Sequence, residues 1–84
     1  MSKHDKLLAK VLSGASDANI RFSDLRNLLL RLGFDERNNQ GHFIFTRGDI
    51  VEILNLQPKG SKAKPYQVKQ VRKLITRYRL SDEL

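Results

Sequence analysis

The chain contains no cysteine. Disulfides, thiolate nucleophiles and thiolate metal sites are therefore excluded, and the composition suits a reducing compartment. No apolar run approaches the ~20 residues that span a bilayer. The charged N-terminal residues are not followed by an apolar stretch of the signal-peptide kind. A soluble cytoplasmic protein with no membrane partner is expected. Histidine is scarce, with only His4 and His42, so a zinc site is not expected. Asp35, Glu36, Asp49 and Glu52 are the acids to weigh for magnesium. Their spacing on short strands does not converge them, and a solvated surface is the expectation; neither metal nor cofactor is foreseen. The Gly-x-Ser-x-Gly and Gly-x-x-x-x-Gly-Lys patterns are also missing.

Acidic residues are scarce in one part of the chain. Residues 1–56 carry eight Lys/Arg against seven Asp/Glu, whereas residues 57–84 carry eight against two. Between Ile53 and Ser81 there is no acid at all. Solubilising charge alone would be spread more evenly. A one-sided basic field implies a polyanionic partner, namely nucleic acid, an acidic protein or an anionic membrane surface. The last fits worst, because no segment combines a basic face with a large apolar face free of other duties.

Eighty-four residues make a single domain, 1–84, with a thin core at about 20–80. Leu7, Leu8, Val11 and Leu12 form a helical stripe within residues 3–13, which Ser13-Gly14-Ala15-Ser16 brings to an end. Leu25, Leu28, Leu29 and Leu32 fall at i, i+3, i+4 and i+7, predicting a second helix with Ser23 as N-cap and Gly33 as a left-handed C-cap. Phe34 to Asn38 reads as a weak strand, Asn38-Asn39-Gln40-Gly41 as a turn, and His42 to Thr46 as a good strand. Arg47-Gly48-Asp49 is a second turn, and Ile50 to Leu56 alternates as a third strand. Pro58 to Lys64 reads as a polar, lysine-rich loop. Pro65 opens a last helix reaching about Leu80, with Val68, Val71, Leu74, Ile75 and Tyr78 as its apolar stripe.

This order predicts an α+β domain with a three-stranded antiparallel sheet. Helices on one sheet face would bury Leu25, Leu28, Leu32, Val71 and Ile75, leaving the other face wet. An α-β-β-β-α order with an extra N-terminal helix is the layout of double-stranded-RNA-binding domains.

Side chains alternate along a strand. If Phe43 and Phe45 enter the core, His42 and Ile44 lie on the open face. His4 is expected in a frayed N-terminus. Histidine exchanges protons near neutral pH, and on a phosphate-attracting surface it suggests RNA cleavage. A solvated or hydrogen-bonded surface histidine is the plainer alternative. The loop Pro58–Tyr66 offers lysines, a close-approach glycine at Gly60 and a helix N-terminus, all suited to phosphate oxygens; a solvated connector is the alternative. The candidate RNA contacts are Lys59, Lys62, Lys64, Lys69, Arg72 and Lys73. Tyr66 is expected to pack under the loop, with a hydroxyl offered to RNA as the alternative.

Gly41-His42-Phe43-Ile44-Phe45-Thr46, followed by the run from Ile53 through Gln57-Pro58-Lys59-Gly60-Ser61-Lys62-Ala63-Lys64-Pro65-Tyr66 to Arg72, resembles the HicA toxins of bacterial toxin–antitoxin modules. Asn19-Ile20-Arg21-Phe22-Ser23-Asp24-Leu25 and Leu32-Gly33-Phe34 are similar as well, so the likeness spans about residues 12–79. The resemblance implies a small ribonuclease with a double-stranded-RNA-binding-like fold that cuts mRNA and is silenced by a HicB-like antitoxin. The family's active histidine follows a Gly-Ser pair at the start of the middle strand, a position held here by His42. Gln40 and Gly41 stand in place of Gly-Ser, a departure that touches the turn and any role for the serine hydroxyl. The implied toxin ribonuclease works without metal. A non-catalytic RNA-binding module of the same fold would use the same basic surface without His42. A domain that docks an acidic protein would need no RNA affinity.

Overall fold

The computed structural model describes residues 3–84, with side chains from Asp5 onward; the side chain of His4 lies outside the described residues. Helix α1 is Lys3–Ser13 and α2 is Phe22–Arg31. Strands β1 (Asp35–Asn39), β2 (His42–Arg47) and β3 (Ile50–Leu56) form an antiparallel sheet in the order β1-β2-β3. A second hairpin, β4 (Pro58–Lys59) with β5 (Lys62–Ala63), precedes α3 (Pro65–Arg77). Short 3-10 turns occupy Asp17–Asn19 and Leu80–Glu83. The domain is α+β, with three α-helices and a three-stranded antiparallel sheet.

The apolar periodicities find one core. Leu25, Leu28, Leu29 and Leu32 of α2 are buried with Val68, Val71, Leu74 and Ile75 of α3, and with Phe45, Leu54 and Leu56 on one sheet face. The opposite sheet face is open: Val51 is 89% and Ile53 66% exposed. Leu7 and Leu8 pack against the core beside buried Val11, while Leu12 is left exposed at the margin of its stripe.

Helix α2 ends as its leucine spacing and Gly33 imply. Gly33 has φ +89°, its N–H bonds the Leu30 carbonyl, and the Phe34 N–H bonds the Leu29 carbonyl. These are the two backbone bonds of a Schellman ending. The start differs from expectation. Helix α2 begins at Phe22, and Ser23 is its second residue, not its cap. Phe22 is buried, and its N–H donates to the Ser61 carbonyl at 3.0 Å. A tertiary backbone contact thus satisfies a helix-start donor that a side chain would otherwise have to cap.

The same contact corrects the reading of Pro58–Lys64 as a polar loop. Its central part is the β4–β5 hairpin, with Lys59 opposite Lys62. Arg21 bridges Lys62, and the Ala63 N–H donates to the Ile20 carbonyl. Backbone groups that a free loop would leave to water are therefore paired with the segment entering α2. Helix α3 also stops short of Leu80. Arg79 takes a left-handed φ of +54°, which turns the chain so that Leu80 returns to the core.

Three arginines hold the layers together. Arg72 on α3 grips the Asp17 carboxylate through both terminal nitrogens and donates to the Val11 carbonyl near the end of α1. Arg47 donates to the Leu32 carbonyl at the end of α2 and to Glu83. Arg26 pairs with Glu36 and lies over the Phe43 ring.

Candidate active site and nucleic-acid interface

The hairpin turn between β1 and β2 positions His42. Gln40 and Gly41 both have positive φ, +51° and +85°, the type I′ pattern whose twist suits a two-residue hairpin. The Asn38 side chain accepts from the Gly41 N–H at 3.3 Å. Beyond the turn, Phe45 is fully buried and Phe43 packs against Phe22 at 4.9 Å between ring centroids. That commitment sends His42 to the open face, where it is exposed.

The register of β2 on β3 then supplies its partner. Phe43 faces Leu56 and Ile44 faces Asn55, so Asn55 lies diagonally across from His42 on the open face. His42 Nδ1 is 3.3 Å from Asn55 Oδ1. The contact suits the tautomer in which Nδ1–H donates to the amide oxygen, an arrangement that turns Nε2 to the open side. His42, Asn55, Gln57, Tyr66 and Gln67 line a pocket of about 220 Å³.

Gln67 is buried, only 2% exposed, although the apolar pattern of α3 does not single it out. Its carbonyl oxygen accepts from the Gln57 N–H at 3.2 Å. Its amide donates to the Tyr66 hydroxyl oxygen at 3.3 Å. One buried side chain thereby fixes two walls of the pocket. Tyr66 is 58% exposed, which corrects the expectation that it packs under the loop. Its position at the start of α3, one residue after Pro65, turns the ring outward while Gln67 and Val68 take the inward positions.

A second concavity, of about 570 Å³, is lined by Gln57, Pro58, Lys59, Lys64, Pro65 and Tyr66. Gln57 and Tyr66 border both hollows, so the lysine-rich hairpin opens directly onto the His42 pocket. Lys59 is exposed and has no partner among the described residues. Lys64 donates to the Gln57 side chain at 3.3 Å.

The other four basic candidates have different settings. Lys62 reaches the Asn19 side chain at 2.9 Å. Lys69 is exposed and acts on Asp17 through its charge. Lys73 lines a groove between β3 and α3. Arg72 is a clamp inside the fold, engaged with Asp17 and Val11, and its guanidinium is not offered to solvent as a free cation. Hydrogen bonds from Arg72, reinforced by its charge and that of Lys69, hold the Asp17 carboxyl below its ordinary pKa.

Asn55, Gln57 and Gln67 are site residues that the linear pattern does not pick out. Strand parity places Asn55 on the histidine's face, yet pairing it with His42 requires the β2–β3 register. Among the described residues no group of three His, Cys, Asp or Glu side chains is close enough to hold a metal ion. No helix among them is long and apolar enough to cross a membrane. No family model matches the chain, and no curated protein or solved structure matches it.

Proposed function

We propose that the chain is a metal-independent endoribonuclease of the HicA toxin kind, with a double-stranded-RNA-binding-like fold, acting on mRNA in the cytoplasm. The observation that carries the proposal is a single one. An imidazole with Nδ1 against the Asn55 side chain stands in a pocket that runs into the Lys59/Lys64 hollow across Tyr66.

The chemistry that suits these groups is transesterification within the RNA. The 2′ oxygen attacks the adjacent phosphorus as His42 Nε2 takes its proton. The P–O5′ bond breaks, and the departing 5′ oxygen takes a proton from water. The products are a 2′,3′-cyclic phosphate and a 5′-hydroxyl. The nucleophile is already tethered, so alignment, proton transfer and charge stabilisation are what the protein supplies. Lys59 and Lys64 face the phosphate backbone, where contacts position the strand without reading its sequence. The Tyr66 hydroxyl oxygen already accepts from Gln67, which leaves its hydrogen for a phosphate oxygen. A HicB-like antitoxin with an acidic surface would silence the enzyme by covering the His42 face and the basic hairpin.

The deciding experiment is RNA cleavage by purified His42→Ala beside the parent. The expected result is loss of cleavage with RNA affinity and thermal stability nearly unchanged, because His42 is exposed and leaves no core cavity. Equal cleavage by the two proteins would remove His42 as the catalytic group, and no cleavage by either would leave a non-catalytic RNA-binding module.

A further inference from the structure

Strand β3 is a sheet edge with no strand among the described residues paired along its outer side, and Tyr78 meets the backbone of Val51 near its start. The direction of its free groups follows from one hydrogen bond. The Gln57 N–H points away from β2, since it meets Gln67 on α3. Backbone groups alternate in direction along a strand, so Ile53 and Asn55 present their N–H and C=O outward too. Neither engages in a hydrogen bond with a loop, turn or helix. Sheet edges of this kind normally carry lysine, proline or a bulge against unwanted pairing; β3 has one irregularity, where residues 51–53 lie opposite Thr46, and its side chains keep alternating through it. Strand β3 reads Ile-Val-Glu-Ile-Leu-Asn-Leu. Its one charge, Glu52, is engaged with Tyr78 and Arg77, and Val51 and Ile53 are bare on the open face.

Beside this edge runs a groove of about 380 Å³ between β3 and α3, with Leu74 in its lining, Lys73 and Arg77 along the helix side and Glu52 on the strand side; Arg77 pairs with Glu52 at 3.5 Å, which leaves Lys73 as the groove's uncompensated charge. A strand edge facing a helix is the geometry in which extended peptides add to a sheet, with ladder bonds giving affinity and alternate side chains giving specificity.

We propose that the β3 edge is a docking site for an extended acidic segment of a partner protein, which adds to the sheet as a fourth strand. Added-strand side chains would alternate. One set meets Lys73, with the Arg77–Glu52 pair beside it, and is acidic; the other lies beside Val51 and Ile53 and is apolar. Charge decides against a second copy of this chain as occupant. Pairing two β3 edges about a two-fold axis would bring a second Lys73 and Arg77 to the same seam in a protein of net charge +7. The groove shares Asn55 with the His42 pocket, so an occupant that runs the length of β3 ends beside the imidazole. The inference needs no cleavage chemistry and stands if the ribonuclease reading fails.

The test uses the ¹⁵N-labelled full chain and amide hydrogen exchange read by NMR. The probe is a synthetic peptide of about six residues, the usual strand length, alternating glutamate and valine. Controls are the lysine–valine peptide and the glutamate peptide with N-methylated amides. The glutamate peptide is expected to slow exchange at the Ile53 and Asn55 amides by about tenfold or more, and the controls are expected to leave both unchanged. Lys73→Glu, at an exposed position, is expected to weaken the glutamate peptide by about tenfold and to let the lysine peptide bind. Any of four results would overturn the proposal. The first is unchanged exchange at both amides with saturating glutamate peptide, and the second is equal protection by the lysine peptide. The third is protection in the free chain accompanied by a dimer's mass. The fourth is protection by a short single-stranded RNA in place of the peptide.

Discussion

Replacing Gln67 by methionine tests whether one buried amide organises the candidate site. Methionine nearly conserves the volume, so the cavity contribution is small. Both hydrogen bonds are lost, and their costs differ. The Gln57 N–H loses the Gln67 carbonyl oxygen at a part-buried position, and a donor left unpaired beside the buried amide's site costs about 1–3 kcal/mol. The Tyr66 hydroxyl loses a donor too, but the ring is 58% exposed and water takes the vacated place at little cost. A net loss of about 2 kcal/mol corresponds to a fall in Tm of roughly 8–16 °C in a domain of this size. The assay is thermal and urea unfolding of parent and Gln67→Met, with an unchanged m-value expected since the surface exposed on unfolding is the same. Native-state hydrogen exchange at the Gln57 amide should accelerate in step. RNA cleavage measured well below Tm should also fall, although His42 and Asn55 are untouched, because two pocket walls lose their anchor. A stability change within about 0.5 kcal/mol, with the Gln57 amide still protected, would refute the role assigned to Gln67.

Cleavage should persist in EDTA and leave 2′,3′-cyclic phosphate or 3′-phosphate ends; dependence on magnesium, or 3′-hydroxyl ends, would contradict the proposed transesterification. Lys59→Gln and Lys64→Gln should each flatten the salt dependence of RNA affinity by about one unit of slope. Arg72→Gln should instead lower thermal stability and leave that slope unchanged, because its guanidinium serves Asp17 and Val11; the converse pattern in binding assays would make Arg72 a phosphate contact. Acid should loosen the same clamp. Asp17 is held below its ordinary pKa chiefly by the Arg72 hydrogen bonds. Its stabilising contribution is therefore fully present above the unfolded carboxyl value, about 3.9, and is lost as pH falls through the lower folded value. Asp17→Asn should remove that acid-dependent component from a Tm-against-pH series, and an unchanged series would show the clamp to be inert.

Local periodicity and turn chemistry were enough to determine which faces of this protein are buried. The leucine spacing of residues 25–32 with Gly33 dictates α2 and its ending. Alternation across Phe43 and Phe45 puts His42 on the wet face, and the absence of acid after Ile53 locates the basic half. Each of these depends on residues within a few positions of one another, where backbone geometry sets the outcome directly. Tertiary structure alone decided which polar groups meet. The β2–β3 register brings Asn55 to His42. Docking of the Ile20–Phe22 backbone turns a lysine loop into a hairpin and moves the start of α2 from Ser23 to Phe22. The seat of α3 buries Gln67, exposes Tyr66 and engages Arg72 with an aspartate 55 positions away. Composition and spacing carry no record of such pairings, because a hydrogen bond is set by positions known to a fraction of an ångström and those positions exist only once the core has closed.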